Sequence, residues 1–425
     1  MRKPLLIGVV TVVALWVAVW VASLLVRSSL GSGDRHEWPD DLGSLSEIPA
    51  RYPPVSMSRA AARLVALAEP LGIDMAPRDP RTPPESRPLE FVRGQIGKWL
   101  AEQLSNPTPR VEPLPSESGE YFAGRAADLA AIVTLLLSDE PIVWPEDLRD
   151  PVSPLPNFTG HMNLHRVLVA RALDRSRFGD SGGWNDLRAA WHVARPLLDR
   201  HESISKMIAL AIARNVNAAA RKMPLPAPDW LAGMQELDFR GAFLAGAQAD
   251  AWAITDRVYE ETTIDGAPLA RRAVDTIMAP YTRLSAADWA EASRRIAQEI
   301  AATTDCALDM GWMAARLNDE LAWWNALARR LPTPNLEVLW QRVLRFTPER
   351  EATVRALALR TGSPPLPASR CAGATWIYAA DGRSFRFSKE IPVPGPNQIP
   401  LEFVIPSGSE DDRATARPDS SLRSE

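Results

Sequence analysis

Residues 129–137 read LAAIVTLLL, a run in which only Thr134 is polar. A helix over this run covers roughly 14 Å at about 1.5 Å per residue. The hydrocarbon core of a bilayer is ~30 Å thick, so the run is too short to cross it and reads as a buried core helix. The helical pattern around it spans 119–137. The next segment, 140–158, carries five prolines and is expected to be irregular.

Helical patterns flank this core helix on both sides. Upstream, beginning near Ser58, the residues Ala61, Leu64, Val65 and Ala68 share one apolar face. A loop with Pro77, Pro80, Pro83 and Pro84 follows. A second helix is expected over 88–104, with Phe91, Ile96, Trp99 and Leu100 inward. Downstream, the spacing predicts helices over 160–177, 183–201, 203–222, 238–263, 268–280, 285–304, 307–330, 335–345 and 348–361. Ser285 reads as the N-cap of one of them. Thr347 and Pro348 read as a cap and a first helical position, with Glu349 and Glu351 in the first turn and Gly362 as the stop. The fold class is therefore all-α and multi-helical. A rhythm of about 35–45 residues makes it α-solenoid-like in architecture, although no repeat signature recurs in register.

Beyond Gly362 the pattern changes. The stretch ATWIYAADGRSFRF, residues 374–387, alternates on both sides of Asp381-Gly382. Asp-Gly supplies the positive φ angles of a tight hairpin turn. Trp376 and Tyr378 share one face of the first strand, and Phe385 and Phe387 one face of the second. Residues 401–405 are expected to add a third strand. An isolated hairpin is marginal in water, so this small C-terminal β-hairpin appendage, 362–405, should dock its aromatic face on the helices. The polar residues 406–425 read as a disordered tail.

At the other end, residues 5–26, LLIGVVTVVALWVAVWVASLLV, carry no charge and are long enough to cross a bilayer. They read as one N-terminal transmembrane signal-anchor helix, preceded by a short cytoplasmic tail, 1–4. Ala14, Ala18 and Ala22 fall on one face and form a candidate transmembrane packing face. Arg2 and Lys3 concentrate positive charge before the span, whereas Asp34, Glu37, Asp40 and Asp41 dilute the arginines after it. The expected topology is N-terminus in, with a single pass through the inner membrane. A flexible stalk, 27–56, then leads to the extracytoplasmic helical domain, 57–361.

The chain has 425 residues, with 48 Lys and Arg against 52 Asp and Glu, for a formal charge of −4. No basic block offers a footprint for nucleic acid, so no nucleic-acid partner is expected. No Gly-rich phosphate loop, dinucleotide fingerprint or nucleophile elbow occurs in a fitting context, so neither a cofactor nor a catalytic residue is assigned. His161 and His165 have the spacing of two metal ligands but lack a third, and read as helix-surface histidines. Asp199, His201 and Glu202 cluster without a nucleophile motif, and read as a helix-end group. Asp256, Tyr259, Glu260 and Glu261 read as a solvated acidic helix end. Trp312, Trp323, Trp324 and Trp340 crowd the last third of the chain and read as core. Cys306 and Cys371 are the only cysteines, and outside the cytoplasm they are candidates for one disulfide.

Two function classes follow. The first is a membrane-anchored binding or scaffold protein of the bacterial envelope, attached to the membrane through its N-terminal helix and engaging an envelope protein partner. The second is an envelope glycan- or peptide-processing enzyme with acidic residues in a helical cleft. Two carboxylates facing each other across a cleft would mark the enzyme.

Overall fold

Leu129, Ile132, Leu135 and Leu136 are buried, and they seat their helix against its neighbours in the main hydrophobic core. The computed structural model describes residues 16–18, 21, 52–78, 92–148, 150, 153–260, 269–309, 311–326, 328–330, 334–364, 366, 368–391 and 398–406. Most of the expected membrane helix, Ala14 and Ala22 of its expected packing face, and nearly all of the expected stalk and tail lie outside these residues. Among the described residues no helix is long and apolar enough to cross a membrane.

The domain opens with α1 (Arg59–Ala68). Ser58 caps it by accepting a hydrogen bond from Ala61 N. Val55, within the expected stalk, pairs with Glu146 in an antiparallel bridge, so the chain is already tied down there. Next come α2 (Gly97–Ser105), α3 (Ser116–Gly124) and α4 (Ala126–Leu136). The expected single helix over 119–137 is two, because Arg125 leaves helical geometry at φ −117° and ψ 16°.

The central element is α5 (Phe158–Arg177). Its buried residues include Leu164, Val167, Leu168, Val169, Ala170, Ala172 and Leu173, which cover several faces, so helices must surround it. Asn157 caps it by accepting from Gly160 N. A Cβ at Gly160 would lie 2.0 Å from the carbonyl oxygen of Asp74, so only glycine lets the helix start so close to that loop. Around α5 pack α6 (Gly183–His192) and α8 (Ser203–Ala220), with the short α7 (Arg195–Leu198) between them. Then follow α9 (Asp229–Gln235), α10 (Phe239–Glu260), α11 (Leu269–Ala302), α12 (Trp312–Glu320) and α13 (Pro334–Arg360). α10 lies along α11, and α8 packs on α13 far along the chain. The last contact is one that a stack of nearest-neighbour repeats does not make.

Two helix starts read from capping chemistry are corrected. Ser285 is inside α11 rather than at a cap, and its hydroxyl bonds the Asn325 side chain. Asn325 Nδ2 also donates to Ser285 O and Asp288 Oδ2. Pro348 is inside α13, and the helix passes through Thr347 without a break. There Glu349 is fully buried and receives Arg214 and Arg345, a tertiary anchor that overrides the local stop signal. Within 307–330 the described residues form only α12 and a short 3₁₀ turn at Ala328–Arg330.

The C-terminal sheet has three antiparallel strands in the order β1 (Trp376–Tyr378), β2 (Ser384–Phe387) and β3 (Glu402–Val404). Trp376 stands opposite Phe387, and Phe385 opposite Phe403. Phe385 and Phe403 pack on Ala352 and Ala356 of α13. Trp376 is half-buried, donates through Nε1 to Glu351 and lies under Arg355. Cys306 and Cys371 are joined in a disulfide with 5.4 Å between their Cα atoms, which links the end of α11 to the sheet.

Candidate functional site

The RAAWHVAR stretch, 188–195, turns one face of α6 and α7 outward with Arg188, His192 and Arg195 four and three residues apart. Across from it, α9 brings Trp230 and Met234, and the start of α10 brings Phe239 and Ala242. Between them lies an open cleft of about 430 Å³. Its walls are held by aromatic contacts. Trp184 donates through Nε1 to Pro224 O at 2.9 Å and meets Trp230 edge-on at 6.0 Å. Phe239 contacts Trp191 and, from behind, Phe346.

The charges on the cleft are unevenly committed. His192 Nδ1 lies 2.6 Å from Leu136 O. A carbonyl only accepts, so Nδ1 carries the proton and Nε2 is left as an acceptor. Burial lowers the pKa of His192, and the charges of Arg195 and Arg188 lower it further, so the ring is neutral near pH 7. Asp238 Oδ1 accepts Gly241 N at 3.0 Å. Among the described residues no carboxylate pairs with Arg188 or Arg195, and Arg188 Nε is buried without an acceptor.

A second polar cluster sits where α8 begins. Arg200, Glu202, Ser205 and Lys206 are buried there with Glu146 from the Pro-rich segment. Glu146 accepts from His201 N at 2.8 Å and meets His201 Nδ1 at 2.9 Å. Glu202 accepts from Arg200 Nε and from Ser205 Oγ. Lys206 Nζ donates to Leu198 O and Arg200 O. Burial by itself would raise Glu146, but the hydrogen bonds from His201 and Glu202 and the charge of Arg200 hold it down at about 2. Burial and the neighbouring Glu146 push Glu202 up to about 7. The two carboxyl groups therefore divide one proton unequally, with Glu202 as its holder. Tyr52 covers His201 edge-on at 4.4 Å. Neither glutamate lines the cleft.

Other candidate residues are placed as follows. His161 and His165 are fully buried, which corrects the surface reading: α5 is enclosed, so both of these positions face packed neighbours. Burial pushes them down to about 4 and about 3, leaving neutral rings. His161 Nδ1 contacts Asn157 O, and His165 Nε2 contacts Asn215. Among the described residues no group of three or more His, Cys, Asp or Glu is placed to hold a metal ion. Trp340 is core, but Trp323 is 88% exposed in the turn after α12, which corrects the core reading of that cluster. The side chains of Asp256, Tyr259, Glu260 and Glu261 lie outside the described residues.

Sequence reasoning named Asp199, His201 and Glu202 but read them as the end of a helix over 183–201, whereas that helix stops at His192 and Glu202 is buried just before Ser203 of α8; it missed Glu146 and the cleft. Glu146 and Glu202 are 56 positions apart in numbering, and nothing local in either stretch announces the other. The cleft did have a signal, the cationic stripe at 188, 192 and 195 beside Trp191. No protein-family model matches this chain, and neither a curated protein nor a solved structure matches it.

Proposed function

We propose that this chain works by association, as a membrane-tethered helical binding protein of the cell envelope. In this reading residues 5–26 form a single-pass anchor with the N-terminus in the cytoplasm, and the helical domain lies on the far side. The cleft walled by α6, α7, α9 and the start of α10 receives a segment of a protein partner. The observation that carries the reading is the cleft itself: a cavity of about 430 Å³ walled by Trp191, Trp230, Met234 and Phe239. That volume lies within the range of ligand sites, roughly 300–1,000 Å³. Aromatic and aliphatic side chains held in rigid walls are the usual anchors of binding energy. A stalk of about 25–30 residues adds a reach of a few tens of ångströms, on the flexible-chain relation of ~5–6 Å times the square root of length.

The rival reading is an envelope hydrolase. It draws on one observation, the Glu146–Glu202 pair, whose protonation is split in the way an acid and a base require. Against it, both carboxyl groups are buried, each accepts hydrogen bonds from its own protein, and neither lines the cleft. The test is incubation of the full chain, in detergent, with purified peptidoglycan and with envelope protein extract. The expected result is no release of glycan or peptide fragments. Release that Glu146→Gln and Glu202→Gln both abolish would overturn the binding reading.

A further inference from the structure

We propose that the cleft selects an acidic segment of its protein partner, one that places a bulky apolar side chain beside a carboxylate. This inference rests on the reading of the cleft as a binding site and adds the chemistry of what enters it.

The argument starts from charge. Arg188, His192 and Arg195 share one face of α6 and α7, and His192 senses both guanidinium groups, so the three are electrostatic neighbours. Two aspartates also line the cleft, and each lies in the field of a cation that does not line it. Asp238 accepts Gly241 N and lies in the field of Arg240. Asp199 lies in the field of Lys206. The two arginines have no such commitment among the described residues, and Arg188 Nε is a buried donor that lacks an acceptor. Buried donors in folded proteins nearly always find acceptors, so an acceptor from outside the chain is the natural complement. A guanidinium is built for a planar carboxylate, which it holds by two parallel hydrogen bonds.

The second part is apolar. Half-buried Trp230 and exposed Leu237 line the cleft beside Trp191, Met234 and Phe239, which are only 2–5% exposed, and this apolar side suits the body of an aromatic or branched side chain. The cavity has room for one or two side chains and not for a whole helix. Gly233 and Leu237 are exposed at the cleft, which leaves it open for a chain to enter and leave. The combination of an apolar anchor with an adjacent acid is the complement of this surface.

The test is a random-peptide display selection against the full chain in lipid nanodiscs, followed by affinity measurement on synthetic copies of the enriched peptides. Enriched sequences should pair a bulky apolar residue with Asp or Glu. Replacing that acid by its amide should weaken binding on the order of tenfold or more, as expected for hydrogen bonds to a charged group. The double variant Arg188→Gln with Arg195→Gln should bind acid and amide forms alike. Arg188→Lys should fall between it and the parent, because charge remains and the fork is lost. Trp230→Ala should weaken both forms. Both arginines reach solvent, so unchanged thermal midpoints in these variants will separate lost recognition from lost folding. Peptides that bind in a Trp230-dependent way without an acid would overturn the acidic selectivity and leave the cleft a binding site. Absence of any Trp230-dependent peptide would overturn both.

Discussion

Breaking the bridge between Cys306 and Cys371 should destabilise the protein by an amount the structure sets. The bond closes a loop of 65 residues that contains α12, α13 and their connections. In the chain-entropy relation a loop of that size removes about 14–15 cal/mol/K from the unfolded chain, or about 4 kcal/mol at 25 °C. Domain stabilities lie in the range of 5–15 kcal/mol, so the loss is a large share of the whole. The bridge is also packed: both cysteines are buried with Ala374, Phe387 and Ile391, and Ala372 N donates to Thr304 O beside it. Cys306→Ser, Cys371→Ser and the double variant each remove the same single bond. All three should therefore lose a similar amount, with no additivity between the single changes. The assay is urea unfolding of the full chain in detergent, followed by tryptophan fluorescence, with and without reductant. Reductant should move the parent to the midpoint of the variants and leave the variants unmoved. A parent that loses less than about 1 kcal/mol on reduction, or that shows two reactive thiols when unfolded without reductant, would refute the reasoning.

Glu202 carries a pH prediction. Its folded pKa is raised above the ordinary carboxylate value, so its stabilising contribution is full below that value and is lost as pH rises through about 7. Glu146 is depressed, so its contribution holds above the ordinary value and is lost only as pH falls toward about 2. Relative to Glu202→Gln, the parent should therefore lose stability between pH 5.5 and pH 8.5 in chemical denaturation, a comparison in which the buried neutral His161 and His165 cancel; a parent-to-variant difference that stays constant over that range would count against the pair. Glu349→Gln should cost about 3–5 kcal/mol, because it leaves Arg214 and Arg345 buried without their shared anion, and a thermal midpoint within a degree of the parent would reject that role. The anchor predicts that protease added to spheroplasts digests the helical domain, and protection of the domain while the inner membrane is intact would reverse the topology.

Much of the helical layout was legible because it rests on local periodicity. α1, α5, α8 and α10 begin within a residue or two of where apolar spacing and caps place them. The three strands likewise follow alternation and the Asp381-Gly382 turn. The errors fall where a tertiary partner outweighs a local signal. Ser285 looks like a cap until Asn325, forty residues on, bonds its hydroxyl. Pro348 looks like a start until buried Glu349 and its arginines hold the helix continuous through it. The candidate sites were the least legible part. His161 and His165 differ from surface histidines only through helices that cover α5, and Glu146 meets Glu202 only through the fold. Electrostatic clusters of this kind are assembled by distance in space, for which spacing in sequence carries no record.

Site-specific photo-crosslinking in living cells tests the central claim most directly. Gly233 lines the cleft, and a Cβ added there meets no atom within 4 Å. A photoreactive residue at position 233 of the full-length chain should form a discrete adduct with one envelope protein. The same residue at Glu236, exposed but outside the cleft, should not form that adduct, and Trp230→Ala should remove it from position 233. An adduct of equal yield from both positions, or one at 233 that persists in Trp230→Ala, would contradict the assignment of this cleft as the place where the protein meets its partner.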